Sequence, residues 1–480
     1  MSNVSSKTEG GINKEDNLKF IAIAVALFFI VLSFIGPHGE VFTKGMSSTL
    51  FLICAALILW ITMAIPILAS SLLIIALMPL IGIKPSLVAA LGGFTSSATY
   101  FVIASMALGM VITRTSLPTK LLMALLNWSK GKVSKILLAF LLLSFIISMW
   151  VSDVGAVILA LSFVTSFIEL VDKSNKSGKN LVAVLALSAP IGAVLGGSAC
   201  VVGASNNIVT LNMLGNYAHR TVTFVEWLII GLPACFVTLI ILWRVLLVIF
   251  KSDDLTETQT QSFVQKLSGH KSSLQHEGIA IGMMLLIMFT WVASSWIRWL
   301  DVTVVGIIGM ALFFIPRYGA LTWPDFKKEM TWEIPFMGAC AVALGEAVRD
   351  MGLATLLSSG LAQAFPNIGP FALVILFATV ITILLLGIPV GPAMAAMMTV
   401  PAYTLAVAVG VNPMTIVMVV GLFVANSSIL PLNAAFLIPF SRGMFSVKDC
   451  ARMGVFMSII WIIIAAIWLP ISTGFLYPMP

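Results

Sequence analysis

Runs of about 20 consecutive apolar residues recur along this chain, and that length is what an α-helix needs to cross a hydrocarbon core of roughly 30 Å. The ruler places helices near 19–36, 48–63, 65–82, 98–114, 180–214, 225–250, 277–297, 302–316, 332–350, 412–440 and 453–475. Hydrophobic residues make up 60% of the 480 positions and charged ones 9%. A soluble core cannot absorb that much apolar surface, so the expected class is an all-α polytopic membrane protein of about eleven transmembrane helices, with the lipid bilayer as its first partner.

Two further apolar stretches, 136–170 and 368–410, are interrupted in the middle by Ser152-Asp153 and by Gly387-Ile388-Pro389-Val390-Gly391-Pro392. Glycine and proline lower helix propensity, and proline also removes a donor. Each stretch therefore reads as two half-length helices meeting at a tip, a re-entrant hairpin. Charge supports this independently. With the N-terminus in the cytoplasm and both hairpins returning to their own side, every Lys and Arg except Lys44, Lys84, Arg220, Arg298 and Arg349 faces inward. The acid-free run Arg114, Lys120, Lys130, Lys132 and Lys135 lands there too, as the positive-inside rule asks. The expected location is the plasma membrane. The net charge of +7 is spread over short loops, not gathered into a stripe, which argues against nucleic acid. The first 18 residues are polar, and no cleaved leader is expected.

The organisation expected from these boundaries is a cytoplasmic tail at 1–18 and a first transmembrane helix within 19–46. A first repeat follows at 47–250 with its hairpin at 136–170, then a cytoplasmic linker at 251–276, then an inverted second repeat at 277–480 with its hairpin at 368–410. Ala107-Leu108-Gly109 followed by Leu117 matches Ala343-Leu344-Gly345 followed by Leu353 at one constant offset, and a broken stretch comes next in both copies. Inverted repeats with matching interruptions mark secondary transporters whose site lies at the midplane. Chance similarity between apolar segments is the plainer alternative.

The chemistry concentrates at the interruptions. Asp153 sits at membrane depth with no basic residue between Lys135 and Lys173, where a charge costs about 3 kcal/mol and is usually kept for a substrate, ion or proton path. The tip around Ser152 presents a helix N-terminus to an anion and hydroxyls to a cation, or Ser-Asp serves simply as a cap. The run Gly196-Gly197-Ser198-Ala199-Cys200, continued by Gly203-Ala204-Ser205-Asn206-Asn207, suggests an unwound segment facing a cavity, with close packing of small residues as the alternative. Asn426, Ser427, Ser428, Pro431, Asn433 and Ala434 suggest a second break, or interhelical glue. Ser152, Asp153, Asn207, Ser428 and Asn433 are expected to line the cavity. Glu346 is expected to pair with Arg349 one turn on. Cys54, Cys200, Cys235, Cys340 and Cys450 lack paired spacing, and His38, His219, His270 and His276 lie in connecting segments. No metal-ligand spacing or acid pair points to an enzyme, so no catalytic residue and no cofactor are expected.

Ser-Met-Trp-Val-Ser-Asp-Val-Gly-Ala at 148–156, the Ile65-Pro66 turn, Thr322-Trp323 and the Gly-Gly segment with Asn207 together resemble the divalent anion/sodium symporter family, over about residues 19–475. The resemblance implies an inverted-repeat fold with two re-entrant hairpins, a homodimer, and elevator-like movement of di- or tricarboxylates or sulfate. It also implies that Ser152, Asp153, Val154, Ala204, Ser205, Asn207, Gly391, Ala393, Asn433 and Ala434 hold the substrate. The coupling ion would fall to Ser148, Ser152, Asp153, Gly203 and Ser428, with Na⁺ at the first four. The family's Ser-Asn-Thr tip motif is altered twice. The first tip reads Ser152-Asp153-Val154, and the second reads Gly391-Pro392-Ala393. A second sodium site at that tip should be weak or absent. An ionised Asp153 would repel an anion unless Na⁺ or a proton neutralises it. The expected function is a secondary carrier of a small anion, coupled to Na⁺ or H⁺ or working as an exchanger. A carrier of a neutral or cationic solute with Asp153 as counter-ion stands as the alternative, and a channel or membrane enzyme as the remoter one.

Overall fold

The computed structural model describes residues 9–171, 174–269, 272–297, 299–364, 368–387 and 389–479. The start of the tail, Lys173, His270, Arg298 and Ile388 lie outside the described residues. The chain opens with α1 (Glu9–Ile35), α2 (Lys44–Thr62) and α3 (Ile67–Ile81), then two single turns, α4 (Leu87–Ala90) and α5 (Gly92–Thr95). Next come α6 (Ser97–Arg114), α7 (Leu117–Ser129), α8 (Val133–Ser148), α9 (Asp153–Phe167), α10 (Lys176–Ala199), α11 (Ser205–Ala218) and α12 (Phe224–Ile249). After α13 (Glu257–Ser268) follow α14 (Glu277–Ala293), α15 (Val302–Leu312), α16 (Trp323–Glu329), α17 (Glu333–Asp350) and α18 (Leu353–Ala364). The chain ends with α19 (Pro370–Gly387), α20 (Gly391–Ala408), α21 (Pro413–Phe423), α22 (Ala434–Ser441) and α23 (Val447–Leu476).

Both interrupted stretches break where glycine, proline and the Ser-Asp pair predict, at 149–152 and around Pro389. The long spans at 180–214 and 412–440 also break, the first at Cys200–Ala204 and the second between Phe423 and Ala434. Among the described residues, 8 helices are long and apolar enough to cross a membrane, or 9 if the bent pair α6–α7 counts as one span. That set counts α9 and α20, while α3, α14, α15 and α21 fall short of the length. Sequence reading left α7, α13, α16 and α18 out because a search for span-length apolar runs passes over short amphipathic helices. Thr256 and Gln259 form a capping box that starts α13, and Phe263, Val264 and Leu267 bury its one apolar face. Phe20, Phe289, Trp299 and Phe475 are exposed around the outside, as lipid-facing side chains are.

Two groups of helices pack internally. In one, α10 is the centre, with α8, α9, α12 and α22 against it and α23 against α12 and α19. In the other, α2 and α3 pack with α17, and α6 packs with α15 and α17. The α8–α10 contact depends on Gly192 and Gly196, four residues apart on one face of α10. A Cβ on Gly192 would lie 2.5 Å from the Leu141 carbonyl oxygen, and one on Gly196 would collide with the Phe145 backbone. Ser144 Oγ donates to the Ala189 carbonyl at 2.6 Å across the same contact. Without a hydrophobic drive between helices in lipid, such close approach is what holds them together.

Glu346 does not pair with Arg349. Lys84, buried at the end of α3, reaches across to Glu346 Oε2 at 3.1 Å and Asp350 Oδ2 at 3.0 Å, and Arg349 turns to Asp350 Oδ1 at 2.7 Å. A cation from a distant loop wins because Lys84 lies 7% exposed, where two carboxylates satisfy it better than water does.

Gly196→Ala tests the α8–α10 weld. Overpacking at a backbone-to-backbone contact costs about 1–3 kcal/mol, so the thermal midpoint of the detergent-purified protein should fall, while Gly282→Ala, which meets nothing within 4 Å, should leave it unchanged.

Candidate transport site

At the first tip α8 ends on Ser148, and Ser152 starts α9 by accepting a hydrogen bond on Oγ from the Gly155 N–H at 3.4 Å. Asp153 Oδ1 accepts from the Val154 N–H at 2.9 Å. The carboxylate therefore lies over the positive end of its own helix. At the second tip Val390 precedes α20 with no side-chain cap, and Pro392 in the first turn has no N–H to offer.

Two adjoining cavities meet at these tips. One, about 650 Å³, is lined by Asp153 and Val154, Ser205 and Asn206, Gly391 and Pro392, and Asn433 and Ala434, closed by Trp60, Met63, Ile67, Met337 and Leu437. The first residues of α9, α11, α20 and α22 thus share one space. The other, about 640 Å³, runs from Ser152, Val154 and Ala434 past Met63, Met106, Met110 and Met337 to Glu329, Thr331 and Glu333. The walls come from α9, α20 and α22 on one side and from α3, α6, α17 and the turn after α2 on the other, with α20 also packed directly on α17. Among the described residues no Lys, Arg or His lines either cavity. Glu329 is paired with Arg114 Nη2 at 2.6 Å, which leaves Asp153 and Glu333 as the acids free of such a partner in the lining.

Of the residues expected at the site, Ser152, Asp153, Val154, Ser205, Gly391, Asn433 and Ala434 line these cavities. Asn207 and Ser428 do not, and this corrects the expectation that both face the cavity. Each helix residue turns about 100° from the last, so with Ser205 and Asn206 facing the space, Asn207 points into the core. Its Nδ2 donates to the Gly197 and Cys200 carbonyls at 2.8 Å each, closing the α10–α11 break. Ser428 is fully buried and donates to Asn426 Oδ1 at 2.7 Å, while Asn426 Nδ2 donates to Ser458 Oγ at 3.0 Å. Ala204 and Ala393 are buried outside the lining, Ala204 as the extended residue before α11 and Ala393 on the core-facing side of the first turn of α20. Sequence reasoning missed the methionine wall. Met63 carries the one local signal, a left-handed residue (φ 47) that ends α2 just before the Ile65-Pro66 turn.

Ser148 and Gly203, expected to bind the coupling ion, are in contact behind the tip. Ser148 is fully buried, and its Oγ has no hydrogen-bond partner among the described residues. A Cβ on Gly197 would lie 3.2 Å from that Oγ and 3.3 Å from the Gly203 carbonyl oxygen, and one on Gly203 would lie 2.5 Å from the Ser148 carbonyl oxygen. A hydroxyl and carbonyls released by two helix breaks are the hard oxygen donors that a small cation takes.

A cavity of helix starts and broken spans, enclosed by apolar helices, defines a membrane transporter. Residues 16–474 match the family described as "Sodium:sulfate symporter transmembrane region", and the chain belongs to that family. It is 25% identical over 434 residues to the sodium-dependent dicarboxylate transporter SdcS of Staphylococcus saprophyticus, covering 84% of this chain and 82% of the relative. SdcS of Staphylococcus aureus is 26% identical over 433 residues with the same coverage. Two solved transporters share the fold. MtrF of Neisseria gonorrhoeae superposes with a TM-score of 0.55 at 14% identity, over 95% of this chain and 94% of that one. The Alcanivorax borkumensis YdaH transporter superposes with 0.53 at 15% identity, over 81% and 87%.

Asn207→Ala should strip the Gly197 carbonyl of its side-chain donor, leave the Cys200 carbonyl with the Gly203 N–H alone, and cost about 2 kcal/mol. The check is the thermal midpoint of the purified variant, and unchanged stability would refute the stapling role.

Proposed function

We propose that this protein is a sodium-coupled secondary carrier of a small anion, seated where the starts of α9, α11, α20 and α22 share one cavity. That convergence is the observation that carries the reading. A helix start presents unpaired N–H groups and about half a positive charge, so the starts of α11 and α20, which carry no side-chain cap, favour an anion without any basic side chain. Na⁺ binds at Ser148 Oγ and the carbonyls around Gly203, close behind the tip that carries Ser152 and Asp153, and offsets the negative charge gathered there. The second tip offers no hydroxyl, and its Pro392 no N–H, so a second sodium site there is expected to be weak or absent.

Transport proceeds by elevator-type displacement of the α8–α12 and α19–α23 unit past the α1–α7 and α14–α18 unit. The cavities lie where these units meet, and sliding exchanges the contacts that α20 makes with α17 and α18 along that face. The two units combine elements of an inverted repeat, 47–250 and 277–480, making about eleven spans. The matching breaks and the Ala107/Ala343 correspondence support that reading. The basic loops favour a cytoplasmic N-terminus in the plasma membrane, and family resemblance favours a homodimer.

Proteoliposomes with an imposed Na⁺ gradient test the reading, with radiolabelled butyrate, succinate and sulfate as probes. Na⁺-driven accumulation of at least one is expected, and no gradient-dependent flux of any would overturn it. For the ion site, Ser148→Ala should raise the half-saturating Na⁺ concentration for thermal stabilisation about tenfold. Stability without Na⁺ should barely change, because that hydroxyl has no protein partner to lose. An unchanged sodium response would remove Ser148 from the site.

A further inference from the structure

Resting on the carrier reading above, we infer that the transported species is an organic monoanion with an apolar body, and that Asp153 supplies in cis the second carboxylate that a dianion would bring. Four helix starts share the cavity, but they are not equivalent. Asp153 Oδ1 takes the first N–H of α9 beyond its own residue at 2.9 Å, and Ser152 Oγ takes the Gly155 N–H. Asn433 Oδ1 caps α22 through the Ala435 N–H at 2.9 Å. By contrast, Ala204 before α11 and Val390 before α20 make no side-chain cap. These two uncapped starts are neighbours, for a Cβ on Gly391 would lie 3.6 Å from Asn206 Oδ1. Both open on the same cavity, where one anionic head can meet the two starts together.

The side-chain donors left in the lining, such as Ser205 and Asn433, are neutral and do not compensate a second negative charge. Among the described residues the cavities have no basic side chain, and a second carboxylate would meet Asp153 at the α9 start or Glu333 in the adjoining cavity. What the rest of the surface offers is Trp60, Met63, Ile67, Met337, Val390 and Leu437, a wall that accepts hydrocarbon. One bound head plus an ionised Asp153 places the same two negative charges in the cavity that a dicarboxylate would place there alone.

The test uses the full-length purified protein with Na⁺, following thermal stabilisation by butyrate, benzoate, succinate, sulfate and butylamine. Butyrate and succinate share a four-carbon skeleton and differ by one carboxylate. Butyrate and benzoate should half-saturate at concentrations at least about tenfold below succinate. In Asp153→Asn that ratio should shift toward succinate by about tenfold or more. Should that variant not fold, Met63→Asn should weaken benzoate and spare succinate. Succinate or sulfate binding as tightly as butyrate to the unaltered protein would overturn the inference while gradient-driven flux leaves the carrier reading standing. Preferential binding of butylamine would overturn it in favour of Asp153 as a counter-ion. No binding by any probe, together with no flux in liposomes, would remove both.

Discussion

No water reaches the middle of a bilayer, so every backbone N–H or C=O released where a helix breaks has to find a protein partner. This chain breaks four apolar stretches, and several of its buried polar side chains hold groups that the breaks release. Asn207 holds the Gly197 and Cys200 carbonyls, Trp227 Nε1 donates to the Ser198 carbonyl at 3.1 Å, and Ser198 Oγ donates to Leu422 at 3.1 Å. Asn206 reaches the Gly421 carbonyl at 3.4 Å, and Cys450 Sγ meets the Ser428 carbonyl at 3.3 Å. These bonds tie the α10–α11 break to the α21–α22 region. The uncapped helix starts are then the backbone groups left over, and they face the cavity.

Much of this was legible in the sequence because its causes are local. Apolar length marks spans, and proline, glycine and Ser-Asp mark interruptions, so both tips and both broken crossings fall where those residues stand. The missing helices, α7, α13, α16 and α18, are short and lean on neighbours, which no length ruler detects. The direction of a side chain at a break was not legible either. Asn206 and Asn207 are adjacent and chemically identical, yet one lines the cavity and the other staples the core, and only the start of α11 at Ser205 decides which.

Long-range pairing escaped the sequence for a different reason. Glu346 and Arg349 have the spacing of a helical ion pair, but an exposed pair of that kind contributes only a few tenths of a kcal/mol. A buried lysine has more to lose, and Lys84 outcompetes Arg349 for Glu346 from 262 residues away. The methionine wall belongs to the same category. Met63, Met106, Met110 and Met337 are scattered along the chain and become one surface only after folding.

The two hairpins are supported differently. The outer arm of the first, α8, is locked to α10 through glycines with no slack, and α9 rests on α10 as well. In the second, α19 leans on α21 and α23, while α20 leans on α11, α17, α18 and α21, so the two arms scarcely touch each other but share α21. Each hairpin thus straddles one inner helix, α10 under the first and α21 under the second, and the pressure that keeps either tip closed is borne by that single support.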